Sequence, residues 1–177
     1  EKAVLALLLG TTGLRWGEAV ALRPKDVDFT RRRITIGRTA VSIGSKVTFN
    51  TPKTGETRTV TAPQRTFDVL AESCAGKKSG ELIWTARDGR ALRTVTGDSW
   101  WTWAVKRAQD KDPDFPRITP HSLRHVAAGL LVGAGASVKA VQRQLGHATA
   151  AMTLDTYAEL FDGDLDEVAD ALDGMFS

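Results

Sequence analysis

The sequence is short of the residues that cross-link chains or hold metals. Cys74 is the only cysteine among 177 residues, which excludes an internal disulfide and a cysteine-based zinc cluster. The expected setting is accordingly reduced and cytoplasmic. His121, His125 and His147 are the three histidines and form no zinc-binding spacing, and no carboxylates are grouped for magnesium. A loop ending in Gly-Lys-Ser/Thr is also missing, which removes the nucleotide-driven classes that depend on it. No apolar run approaches the roughly 20 residues that span a bilayer. Residues 3–10 are apolar but short. Preceded only by Glu1-Lys2, they lack the basic start and cleavage site of a signal peptide and read as a buried helix. Repeats, low-complexity tracts and linkers are absent too, so one domain is expected over residues 1–177. The chain opens on Glu rather than Met, and the expectation is a fragment of something longer.

What is present is an ordinary core and an uneven charge. Apolar residues make up 42% and charged residues 25%, both close to the averages for soluble folded proteins. The net charge of +3 hides an asymmetry: eight acidic residues and no Lys or Arg fall from Asp155 onward. That leaves 24 basic against 13 acidic residues over 1–154, a net charge of +11. A body this basic attracts a polyanion, nucleic acid first. On charge alone, a generally solvated basic surface serves equally well.

Periodicity predicts a mostly helical domain with a small sheet inserted early. Helical spacing runs over residues 1–10, breaks at Thr11-Thr12-Gly13 and resumes over 14–22 before Pro24. Residues 33–36, 46–49 and 57–61 alternate as strands. The turn composition of residues 50–55 predicts that the last two form a hairpin, in an antiparallel sheet of about three strands. Pro63 opens the next helix. Another spans 99–109 with Trp100, Trp101 and Trp103, which read mainly as core, and a further one runs from Pro120 to about Val132. Ser137 caps a helix that stops at Gly146, and 149–160 and 164–172 are two short helical segments.

Four places carry polar residues that a structural role explains poorly. His121 and Arg124 are three apart at a helix start and share a face, where a guanidinium fork and the positive helix end suit an oxyanion; His125 is expected to face elsewhere. Arg15 sits in an apolar stretch with Glu18 three residues on, a spacing that by itself suggests a surface ion pair of small effect. Lys53 falls at the tip of the expected hairpin, where lysines are usually just solvated. His147 follows the helix-ending Gly146, and ten residues later comes Tyr157, the only tyrosine.

In combination these residues say more. TGLRWGE around Arg15, Pro-Lys-Thr at Lys53, HSLRH, LGH and TLDTY resemble, in order and spacing, the tyrosine recombinase (phage integrase) family over residues 12–160. The likeness is greatest to integrases of bacteriophages and actinobacterial genomes; Val126 departs from a family position that is small or hydroxylated. The resemblance implies the tyrosine recombinase catalytic-domain fold, mainly α with a small antiparallel three-stranded sheet. It implies site-specific DNA recombination without metal, ATP or other cofactor, in the host cytoplasm and away from membranes. Arg15 and Arg124 would bind the non-bridging oxygens of the scissile phosphate, and His121 and His147 would complete that cradle. Lys53 would protonate the leaving 5′ oxygen, Tyr157 would attack to give a 3′-phosphotyrosyl link, and Glu18 would support Arg15. The implied partners are double-stranded DNA at attachment core sites, three further copies in a homotetramer, and accessory DNA-bending or directionality proteins. N-terminal DNA-binding domains would lie outside this chain, and the acidic tail, 162–177, would dock as a helix on a neighbouring protomer or on its own domain. A type IB topoisomerase is the nearest enzymatic rival, and a DNA-binding protein without catalysis the rival from another class.

The residue set suits the reaction. A phosphodiester repels nucleophiles and its transition state gathers charge on the equatorial oxygens, so preorganised cations are the first requirement. Phenol is weakly acidic, with a reference pKa near 10. Asp155 and Glu159 are therefore expected to point away from the Tyr157 hydroxyl.

Overall fold

Gly13 ends the first helix in a way few other residues could. The computed structural model describes residues 1–44, 46–51, 57–95, 97–161 and 173–174, and its first helix, α1, spans Lys2–Thr12. Gly13 caps it at φ 68°, the left-handed region that favours glycine. A Cβ there would collide with Leu145 and come within 3.3 Å of Ala127. The chain then makes the single turn α2 (Trp16–Ala19) and a 3-10 turn at Pro24–Asp26.

Five short strands follow: β1 (Val27–Asp28), β2 (Arg33–Ile36), β3 (Thr39–Ile43), β4 (Lys46–Asn50) and β5 (Arg58–Val60). They form two antiparallel sheets, ordered β1-β2-β5 and β3-β4. A small antiparallel three-stranded sheet is present, as expected, but residues 46–49 are not part of it, β1 takes the third place, and the expected hairpin does not form. β4 pairs with β3, not with β5, whose partner is β2 in the register Ile34↔Val60. Ile43 sits opposite Lys46, and Gly44 at φ 58° begins the two-residue connection between them. A Gly-Ser pair between two β-branched runs is itself a hairpin signal, and it wins over the longer turn composition at 50–55.

Three longer helices and two of eight residues follow among the described residues: α3 (Gln64–Cys74), α4 (Trp100–Lys111), α5 (Ser122–Gly133), α6 (Val138–Leu145) and α7 (Ala150–Tyr157), the last running into a 3-10 turn at Ala158–Leu160. Ser99, Ser137 and Thr149 cap α4, α6 and α7 with side-chain oxygens, each satisfying a backbone N–H that the helix start leaves unpaired. None of the described helices is long and apolar enough to cross a membrane.

Leu5, Leu8 and Leu9 of α1 lie at the centre of the main core, with Ile34, Val60, Phe67, Leu70, Ile83 and Trp84 around them. Of the tryptophan cluster, Trp100 packs against it. Trp101 is buried and donates its Nε1–H to the Ile118 carbonyl at 3.0 Å, whereas Trp103 is 52% exposed. A second, smaller core joins α5, α6 and α7 through Ala128, Val141, Leu145 and Tyr157. Gly13, at the turn between α1 and α2, meets Leu145 and Ala127 where the two cores adjoin.

Gly13→Ala is expected to lower stability by about 2–4 kcal/mol, from left-handed strain plus overpacking, read by urea unfolding. A loss below about 1 kcal/mol would mean that this junction is loosely packed.

Candidate active site

Arg124 lies in the first turn of α5, with only 4% of its surface exposed. Its Nη1 donates to the Gly13 carbonyl at 2.6 Å and its Nη2 to the Leu145 carbonyl at 2.7 Å. These bonds use two of the five N–H donors of a guanidinium. Gly13 precedes Arg15 by two residues and Leu145 precedes His147 by two, so one side chain ties together the segments that carry both. Burial, followed by the Arg15 charge, pushes the Arg124 pKa down to about 10, and the group stays cationic at neutral pH.

Arg15 caps the start of α2 in the extended conformation, with its side chain 49% exposed. Glu18 folds back on it: Oε2 accepts from the Arg15 backbone N–H at 2.9 Å and Oε1 from Arg15 Nη1 at 3.3 Å. The pair is not the surface contact that the spacing alone suggests, because the Glu18 side chain is only 9% exposed. Its main partner is a residue that sequence reasoning missed. Arg58 on β5 donates Nη1 to Oε1 at 2.8 Å and Nη2 to Oε2 at 2.7 Å, a bidentate fork. Burial alone would raise the Glu18 pKa, but the bonds and charge of Arg58, aided by Arg15, hold it below the ordinary value.

These residues share a cleft of about 810 Å³, lined by Arg15, Arg38, Arg58, Arg143 and His147 among others. Glu18 is the single acidic residue among the described lining residues. His147 Nδ1 is 2.9 Å from the hydroxyl of Thr153, which is fully buried on α7. This bond engages Nδ1 and holds the neutral ring in one tautomer. Burial first, then the charges of Arg124, Arg15 and Arg58, lower the His147 pKa.

Tyr157, at the end of α7, is 5% exposed and stacks on His147 with centroids 6.3 Å apart and planes 7° from parallel. Burial raises its pKa while the Arg124 charge opposes the rise. Asp155 and Glu159 on either side of it are exposed. His121 caps α5 and is exposed; burial of its ring, His125, Arg124 and Arg15 lower its pKa. His125 does not face elsewhere as expected. Its ring lies 5.5 Å from that of His121 and 5.5 Å from that of Tyr157, edge-on to both. The i, i+4 relation to His121 puts both histidines on one helix face, as readily as the i, i+3 relation does for Arg124. Lys53 lies outside the described residues. Among the described residues, no group of His, Cys, Asp or Glu is placed to hold a metal ion.

The structure thus gathers Arg15, Glu18, Arg124, His121, His147 and Tyr157, and adds Arg58, His125 and Thr153. The fold is that of tyrosine recombinase catalytic domains. The chain belongs to the Phage integrase family, which it matches over residues 1–163. It is 30% identical to the transposase of transposon Tn916 from Enterococcus faecalis, over 86% of this chain and 40% of that protein. It is also 30% identical to the integrase of Mycobacterium phage D29, over 85% of this chain and 41% of that protein. The Tn1549 transposon integrase, solved in complex with transposon right end DNA, superposes with a TM-score of 0.80 at 22% identity, over 98% of this chain and 58% of that one. The chain therefore spans about two fifths of the length of these curated relatives.

Two predictions follow from the hydrogen bonds. Thr153→Val should shift His147 from a single tautomer to a mixture, seen in its ¹⁵N ring shifts, at a stability loss of about 1 kcal/mol; an unchanged tautomer would mean that Thr153 does not orient the ring. Arg124→Ala should lower unfolding stability by about 3 kcal/mol or more, since it strands two buried carbonyls, whereas Arg15→Ala should change it by less than about 1 kcal/mol. Equal losses would remove Arg124 from its structural role.

Proposed function

We propose that the protein is a site-specific DNA recombinase of the integration and excision type, cleaving and rejoining strands through Tyr157. The observation that carries this reading is the placement of the one tyrosine. It is held in the same fold as two arginines and two histidines, its ring against His147 and its hydroxyl group within the field of Arg124. A phosphodiester in the cleft would receive Arg15 and Arg124 on its non-bridging oxygens, with His121 and His147 as further donors. Both histidines are held towards the neutral form; His147 has Nδ1 engaged by Thr153, so His121 is the ring that can also accept the phenol proton. Tyr157 Oη then bonds to phosphorus as the bond to the 5′ oxygen breaks, and Lys53 supplies the proton that the leaving oxygen takes. The product is a 3′-phosphotyrosyl link and a free 5′-hydroxyl. Attack by a DNA hydroxyl reverses the step and rejoins strands without metal or ATP.

The partner is double-stranded DNA at attachment core sites, engaged by four copies of the chain with accessory DNA-bending or directionality proteins, in the host cytoplasm. N-terminal domains of the whole protein would complete the grip on DNA. The acidic tail, 162–177, would link protomers by docking in trans; its helix falls outside the described residues. DNA complexes of the Tn1549 integrase support the choice of partner.

The test is a covalent-adduct assay with the full-length protein and nicked duplexes tiled from DNA flanking its gene. A denaturing gel should show a protein–DNA adduct with a free 5′-hydroxyl that Tyr157→Phe abolishes, a loss of at least about a thousandfold. An adduct that survives in Tyr157→Phe would overturn the assignment.

A further inference from the structure

Glu18 presents a problem for a phosphate site. Among the described residues it is the one carboxylate lining a cleft that also presents four arginines, and its Oε1 and Oε2 both face Arg15. Left to itself it would repel a phosphodiester and compete with it for the Arg15 guanidinium. The geometry around Arg58 resolves the problem. Its fork takes both carboxylate oxygens at 2.8 and 2.7 Å, whereas Arg15 Nη1 reaches only one, at 3.3 Å. The carboxylate's charge is thus spent on Arg58, and Arg15 keeps a half-exposed guanidinium with most of its donors free.

Arg58 turns both terminal nitrogens to Glu18, and its Nε is buried without a partner. The guanidinium lies against Gly146, whose absent Cβ would stand 2.6 Å from Nε and 2.7 Å from Cζ. Gly146 also needs its left-handed φ of 71° to end α6. The same glycine therefore seats Arg58 and turns the chain into His147.

We infer that Arg58 is a positioning residue of the phosphate site: it holds Glu18 with its charge cancelled, so that Arg15 is released to an incoming phosphodiester. This deepens the recombinase reading and rests on it. The role differs from a merely structural one in a measurable way. If Arg58 acts by cancelling charge, removing the charge of Glu18 as well should restore much of what its loss takes away.

The experiment compares Arg58→Gln, Glu18→Gln and the double variant in the full-length protein. Two readouts are used: the rate of adduct formation on the nicked duplex, and the rise in unfolding temperature produced by inorganic phosphate. Gln at both positions keeps hydrogen-bonding groups, so the pair can remain folded, and near-ultraviolet circular dichroism checks that it does. Arg58→Gln should slow adduct formation about 30-fold and weaken phosphate binding, and the double variant should recover about tenfold of that loss, a coupling of ordinary size for contacting charges. A double variant as impaired as Arg58→Gln, or an Arg58→Gln protein as active as wild type, would overturn the inference. Absence of any wild-type adduct would instead count against the recombinase reading, and the order of phosphate affinities would still decide the role of Arg58.

Discussion

The arrangement of the site depends on the two hydrogen bonds that a buried Arg124 makes to main-chain carbonyls. Gly13 and Leu145 are 111 and 21 residues away in sequence, and each stands two residues before a side chain that faces the cleft. A lysine could not replace this arginine, because an ammonium has no planar fork to hold two carbonyls in fixed directions. The cost of burying the charge is offset by these bonds to otherwise unpaired carbonyls. Gly13 completes the contact, since any side chain there would press on Leu145 and Ala127. Packing, capping and the positions of Arg15 and His147 are thus referred to one guanidinium.

Charge within the site is divided in a consistent way. Arg124 remains cationic even with its pKa lowered to about 10. The same burial and the same neighbouring arginines push His121 and His147 towards the neutral form, in which each ring keeps one donor and one acceptor. Tyr157 is kept as a phenol by burial, with Arg124 acting in the opposite sense. The cations are therefore fixed, the groups able to move protons are neutral, and the one lining carboxylate is paired. Among the described residues the site carries an excess of positive charge, and under the proposed reading a phosphodiester would balance it.

The elements were legible in the sequence where local chemistry decides them. Ser137 and Gly146 bound α6, Pro63 precedes α3, and the apolar period of residues 1–10 gives α1. What the sequence hid was pairing over distance. β5 lies against β2 because Ile34 and Val60 both enter the main core, and no turn signal reports that. The family motifs placed Arg15, Arg124, His147 and Tyr157 together, but Arg58 belonged to no motif considered. Its cue was an arginine in a strand otherwise made of threonine and valine, opposite a carboxylate 40 residues earlier. His125 was misjudged for a simpler reason: helix spacing was applied at three residues and not at four.

Tyr157 has two kinds of attachment, and together they bear on where the nucleophile rests. Its ring belongs to the small core with Ala128, Val141 and Leu145, and Phe161 packs against the same cluster. Its helix also carries Thr153, one turn earlier, whose hydroxyl meets His147. Swinging α7 outward would expose the tyrosine, worth about 2 kcal/mol of apolar burial, and break the Thr153–His147 bond, worth about 1 kcal/mol. Together these favour the docked position by about a hundredfold or more at 25 °C. Tyr157 therefore rests beside Arg124 of its own chain, and any outward movement of α7 takes Thr153 away from His147 as well.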